Sequence, residues 1–233
     1  TVVIVLTSLF VILPFSRIFE WRHRRWLHYG AVLWARLMFF FVPFWRLKVS
    51  GLEHVVKDEP YVIIANHQSM LDILVALATL PGNFKFMAKQ ELFYVPFIGW
   101  HMHVTGYIAL LRGNQESGRK ALDKAAYWLE RGNSVLMFPE GTRSLDRQIH
   151  TFKPGAFKLA QQQKVRVLPV VMDGTGEAIP KKSWRIQKKT VLEVVVEKPV
   201  SILPEENVQQ KIAMIRQRMT DRLAEMRKEA LAV

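Results

Sequence analysis

The stretch YVIIANHQSMLDILVALATL, residues 61–80, sets the fold class. Tyr61 to Ala65 is a short apolar run broken by Asn66, the pattern of a buried strand. Leu71 to Leu80 reads as a helix, stopped by Pro81 and Gly82. A strand followed by a polar turn and a helix is the repeating unit of parallel sheets, and the alternation continues outward from it. Phe84 to Ala88 and Gly106 to Leu111 read as strands, and Arg119 to Glu130 as a helix closed by Gly132 and Asn133. Ser134 to Phe138 is a further buried strand, Gly155 to Gln163 a short helix, and Val165 to Met172 and Val191 to Val196 two more strands. The expectation is a single α/β domain over residues 47–233, with a largely parallel mixed sheet covered by helices on both faces. From Pro204 a last helix opens, whose Val208, Ile212, Ile215, Met219, Leu223 and Met226 recur at three and four for docking on the body.

Residues 1–46 differ in kind. Val2 to Phe15 is almost unbroken apolar sequence, followed by Arg17, Arg22, Arg24 and Arg25, then by a second apolar stretch from Trp26 to Trp45. As a helix the first segment reaches about 21 Å, short of a hydrocarbon core of about 30 Å. The second carries His28, Arg36 and Pro43 and is rich in Trp and Tyr, which suit the headgroup boundary. A two-helix hairpin dipping into one leaflet is the favoured reading, ahead of spanning helices or a signal peptide.

Composition narrows the chemistry. Lys and Arg number 33 against 20 Asp and Glu, and the surplus of +13 predicts attraction to an anionic partner. With no cysteine, disulfides, thiolate nucleophiles and Cys-based zinc sites are excluded. The basic cluster Lys181, Lys182, Arg185, Lys188 and Lys189 around Trp184 fits either a solvated hairpin or an anionic lipid surface.

Strand ends then select residues. Asn66-His67-Gln68-Ser69-Met70-Leu71-Asp72, Phe138-Pro139-Glu140-Gly141-Thr142-Arg143-Ser144 and Asp173-Gly174-Thr175 follow proposed strands, and ligand crevices of open α/β sheets lie beyond such ends. A neutral imidazole at His67 can take a proton from a hydroxyl, and a carboxylate at Asp72 can fix its tautomer. Five residues apart on one helix they would sit about 140° from each other, so His67 belongs in the turn before the helix and Asp72 reaches back. Alone, the pair also fits an ordinary helix cap. In the second loop Glu140 can accept from hydroxyls, Gly141 admits close backbone approach, and Arg143 can fork onto phosphate.

These blocks resemble the glycerolipid acyltransferases of the lysophosphatidic acid acyltransferase type. The resemblance is carried by NHQSMLD, by KQELFYVPFIG from Lys89 to Gly99 continuing through Gly106 to Arg112, by FPEGTRS, by VLPVV from Val167 to Val171, and by FKPGAFKLA. It implies His67 as general base with Asp72 orienting it, and Glu140, Gly141, Thr142 and Arg143 on the glycerol phosphate, with Lys89 and Arg112 as further phosphate ligands. It implies acyl transfer to the sn-2 hydroxyl of lysophosphatidic acid without an acyl-enzyme. No metal or cofactor is implied, and acyl-CoA or acyl carrier protein serves as thioester co-substrate. Partners are then the lysophospholipid acceptor, the thioester donor and an anionic membrane surface, at the cytoplasmic face of the cell membrane, with no nucleic acid. Phe84, Phe86, Phe93, Tyr94, Phe97 and Trp100 are candidates to line an acyl groove, and His101 and His103 lack an obvious third metal ligand. Transfer to another lysolipid or to glycerol 3-phosphate, hydrolysis of a lipid or thioester, and a non-enzymatic basic membrane-binding module are the competing readings.

Overall fold

Residues 24–42, 44–180, 186–187 and 190–231 are described by a computed structural model of the chain. The strands are β1 (Trp45–Ser50), β2 (Tyr61–Ala65), β3 (Phe84–Lys89), β4 (Ile108–Leu110), β5 (Ser134–Met137), β6 (Arg166–Asp173) and β7 (Thr190–Val196). The α-helices are α1 (Arg25–Phe41), α2 (Leu71–Thr79), α3 (Ile98–Thr105), α4 (Gln115–Leu129), α5 (Gly155–Gln163), α6 (Thr175–Ala178) and α7 (Val208–Leu231). Among the described residues the strands form one seven-stranded sheet in the order β1-β7-β6-β2-β5-β3-β4. Every pairing is parallel except β6 with β7, so the sheet is mixed and largely parallel.

β2 lies at the middle because all five of its side chains are apolar and both faces must be covered. Tyr61, Ile63 and Ala65 pack on the side of α1 and α2, whereas Val62 and Ile64 pack on the side of α4, α5 and α7. Full burial of such a side chain contributes about 1.5–3 kcal/mol, so the central strand anchors the domain. Its neighbours β5 and β6 run parallel to it, with Ile64 opposite Met137 and Ala65 opposite Val170. The three chain segments leaving β2, β5 and β6 therefore emerge side by side at one edge.

Several boundaries differ from the sequence expectation. Trp45–Ser50 is an edge strand rather than the tail of an apolar segment, with Trp45, Leu47 and Val49 turned inward and Arg46, Lys48 and Ser50 outward. α3 was not expected, because its apolar and His residues show no one-sided stripe. β4 keeps only Ile108–Leu110, since Gly106 at φ +82° ends α3. α4 starts at Gln115, where the Asn114 side chain accepts from the Ser117 amide at 2.8 Å. α7 starts at Val208 rather than Pro204, because the Asn207 carboxamide accepts from the Gln209 amide at 2.8 Å and supplies the cap. Its apolar stripe docks on the body through Ile212, Ile215, Met219, Leu223 and Met226.

The expected first apolar helix, most of the basic hinge, and the Lys181 to Lys189 cluster lie outside the described residues. The second apolar segment is the helix α1. It is no simple lipid-facing rod: Leu27, His28, Ala31 and Ala35 are buried against the domain, and Arg24 ties its start to the carbonyl of Val104 at 3.0 Å. The opposite side presents Trp26, Tyr29, Leu33, Leu37, Met38, Phe40 and Phe41 outward. Among the described residues no helix is long and apolar enough to cross a membrane.

Candidate active site

At the end of β2 the chain is pinned by its own polar side chains. The Asn66 amide donates to the Met172 carbonyl and its oxygen accepts from the Met172 amide, each at 2.8 Å, extending the β2–β6 pairing beyond the strand. His67 follows in the turn, and Asp72 is the second residue of α2. The carboxylate of Asp72 reaches back, so that Oδ2 accepts from His67 Nδ1 at 2.7 Å, from the Gln68 amide at 2.7 Å and from the Ser69 amide at 2.9 Å. One buried oxygen thus organises the whole turn and holds the imidazole. With Nδ1 committed, Nε2 is the nitrogen left to meet a substrate.

The loop after β5 grips the same residue. His67 donates its backbone N–H to Glu140 Oε1 at 3.0 Å, and its carbonyl accepts from the Ser144 amide at 2.7 Å. The imidazole stacks on Phe138 with ring centroids 4.0 Å apart and planes 20° from parallel. Glu140 Oε2 accepts from the His150 amide at 3.2 Å. Burial pushes the Glu140 carboxyl above its ordinary range, and the two amides partly offset that. The Glu140 carboxylate, expected on acceptor hydroxyls, is thus occupied by main-chain donors. Gly141 sits at φ +72°, and a Cβ there would stand 3.0 Å from the end of the Lys153 side chain, so glycine allows that lysine to lie over the loop.

His67 opens onto a cavity of about 330 Å³. Its inner wall is apolar, from Ala31 and Trp34 of α1, Ile73, Leu74 and Leu77 of α2, and Phe86, Met102 and Tyr107. Lys89, Arg112 and Arg143 line the same cavity as His67. Burial, and then the neighbouring Arg143, lower the Arg112 guanidinium below its ordinary range, as expected where cations are crowded together. Thr142 is exposed, and Gly141 faces an adjoining groove instead. Of the six aromatic candidates, Phe86 lines the cavity, Phe84 and Phe93 are core, Tyr94 and Trp100 point outward, and Phe97 is half-buried with its ring centroid 5.0 Å from that of Trp100. His101 shares a hydrogen bond with the Thr105 hydroxyl at 3.2 Å, and His103 lies edge-on to Phe93. Phe138, Ser144 and Lys153 join the site without having been singled out, although each stands inside a quoted block.

A base-type imidazole and three cations around one apolar cavity suit chemistry on an anionic amphiphile. The family profile described as Acyltransferase matches residues 46–173, which include the loops of His67 and Arg143 and end at the first residue of the third. The chain belongs to the acyltransferase family. It is 38% identical over 188 residues to the chloroplast 1-acyl-sn-glycerol-3-phosphate acyltransferase LPAT1 of Arabidopsis thaliana, covering 80% of this chain and 52% of that one. It is 35% identical to the 1-acyl-sn-glycerol-3-phosphate acyltransferase of Saccharomyces cerevisiae, covering 77% of this chain and 60% of that one. The chain spans about half the length of the first curated relatives it matches. Its fold is similar to the crystal structure of the 1-acyl-sn-glycerophosphate (LPA) acyltransferase PlsC of Thermotoga maritima. The TM-score is 0.73 and the identity 26%, over 96% of this chain and 95% of that one.

Proposed function

We propose that this acyltransferase moves a fatty acyl group from a thioester, acyl-CoA or acyl carrier protein, to the sn-2 hydroxyl of 1-acyl-sn-glycerol 3-phosphate. The observation that carries the reading is that His67, held by Asp72 at 2.7 Å, shares one cavity with Arg143, Arg112 and Lys89. The relatives named for this reaction support it.

In this mechanism the acceptor phosphate lies against Arg143 with Arg112 and Lys89, which brings the free hydroxyl to His67 Nε2. The imidazole takes the hydroxyl proton as oxygen attacks the thioester carbonyl, and Asp72 stabilises the imidazolium that forms. The surrounding cations favour the negative charge that develops on the carbonyl oxygen. Collapse expels the thiolate, which takes the proton back from His67, so no acyl-enzyme is required. The donor chain fills the apolar cavity, and the acceptor's own chain stays in the bilayer. Exposed Trp26, Leu33, Phe40 and Phe41 on α1, with Met70, Tyr94, Ile98 and Trp100, form the face that rests on one leaflet at the cytoplasmic side.

His67→Ala tests the reading. A general base contributes roughly 100- to 10,000-fold, so the folded variant should lose at least about a hundredfold in phosphatidic acid formed from labelled thioester. Near-normal transfer by folded His67→Ala would remove the dyad. Free fatty acid as the main wild-type product would replace transfer by hydrolysis.

A further inference from the structure

The donor assumed above has three parts: an acyl chain, a thioester and a water-soluble phosphate-bearing head. If the chain lies in the apolar cavity and the thioester meets His67, the head must leave the site in a definite direction. On one side the cavity wall carries the exposed apolar residues Met70 and Ile98. There a charged head would be forced against the face proposed for lipid. At Lys89 and Arg112 the cavity shares its wall with a groove of about 930 Å³, within the size of ordinary ligand clefts.

That groove is cationic. Besides Lys89 and Arg112 it is lined by Arg119 of α4 and by Lys153, whose chain end lies over Gly141. Both Arg119 and Lys153 are exposed, and neither forms an ion pair with a carboxylate among the described residues. The acidic residue that lines the groove, Glu116, is paired with Lys120 at 2.6 Å. An anion entering therefore meets two cations whose charge is not spent on the protein.

We propose that this groove binds the phosphopantetheine arm of the acyl thioester, with Lys153 and Arg119 on its phosphate. The inference rests on the acyltransferase reading and assigns the two openings: lipid acceptor from the apolar side, water-soluble donor from the cationic side. Phosphopantetheine is common to acyl-CoA and acyl carrier protein, so the same two residues serve either source.

The test is steady-state kinetics of the full chain on vesicles containing 1-acyl-glycerol 3-phosphate. The donors are acyl-CoA, acyl carrier protein thioester and acyl-pantetheine lacking phosphate. Two charge-assisted contacts predict that Lys153→Ala/Arg119→Ala raises KM at least about tenfold for both phosphate-bearing donors. The acceptor KM and the KM of acyl-pantetheine should stay within about twofold, since neither ligand gives those contacts up. Lys153→Arg in the Arg119 wild type should restore most of the donor affinity, because it keeps the charge. An effect on acyl-CoA alone, on the carrier protein alone, or on the acceptor instead of the donor overturns the assignment, as does no effect. Wild-type protein that transfers nothing overturns the acyltransferase reading itself. The groove is then judged by calorimetric titration with 4′-phosphopantetheine: binding lost in the double variant supports it, and no wild-type binding sinks it.

Discussion

The backbone N–H of His67 donates to Oε1 of Glu140 at 3.0 Å, while Oε2 of the same carboxylate accepts from the His150 amide at 3.2 Å. Since Ser144 also donates to the His67 carbonyl, the segment carrying Gly141, Thr142 and Arg143 is fastened to His67 at both ends. Movement of this loop is thereby movement of the imidazole. Glu140→Gln leaves one oxygen acceptor but turns an NH2 toward one of the two amides, at a cost of about 1–3 kcal/mol. A loss of kcat of roughly tenfold or more, with acceptor KM within about threefold, is expected if Glu140 positions His67. A rise in acceptor KM with kcat intact would instead make it a hydroxyl ligand.

Asp72 does two jobs through Oδ2, holding His67 Nδ1 and accepting the amides of Gln68 and Ser69. Asp72→Asn keeps an acceptor for the turn but loses the charge that supports the imidazolium. Its kcat should fall by about a hundredfold or more while the melting temperature drops only a few degrees. If Asp72→Asn unfolds the protein, Asp72 is chiefly a turn-former. If it is as active as wild type, the dyad is wrong.

β2 and the turn after it were legible because five apolar residues in a row, a polar break and a helical run admit one arrangement. The place of His67 before α2 followed from helix geometry once it was paired with Asp72. β1 was hidden because Trp45-Arg46-Leu47-Lys48-Val49 follows an apolar segment whose end its first residues resemble, and edge strands carry half the apolar signal. What Glu140 touches was not legible either, since its partners are backbone amides of His67 and His150, and main-chain donors leave no mark in side-chain spacing. Lys153 was visible only as part of a block, because its nearness to Gly141 is created by the fold.

Arg143 lines the cavity together with His67, and its planar fork suits a phosphate held by two parallel bonds. Arg143→Ala should raise the KM for 1-acyl-glycerol 3-phosphate by about ten- to a hundredfold, with a smaller change in donor KM. A monoacylglycerol, which lacks the phosphate, should be acylated equally slowly by both proteins. Equal losses on the two acceptors would show that Arg143 supports the loop rather than the ligand.

His101 and His28 should give the fold an acid limit independent of His67. His28 is fully buried, with Nδ1 3.1 Å from the Tyr107 hydroxyl, and burial, with Lys85 nearby, holds it well below the usual imidazole value. Burial and the same lysine bring His101 from the usual 6.5 down to about 4. A depressed imidazole is neutral in the fold and takes up its proton more readily when unfolded. Its share of stability is therefore complete above about 6.5 and is lost as the pH falls toward about 4. Melting temperatures measured across that window should decline with acid, and His101→Gln, which cannot titrate, should flatten part of the decline while His28 retains the remainder. Identical pH curves for wild type and variant would mean that His101 meets water or a compensating acid in solution, and the buried neutral imidazole would have to be given up.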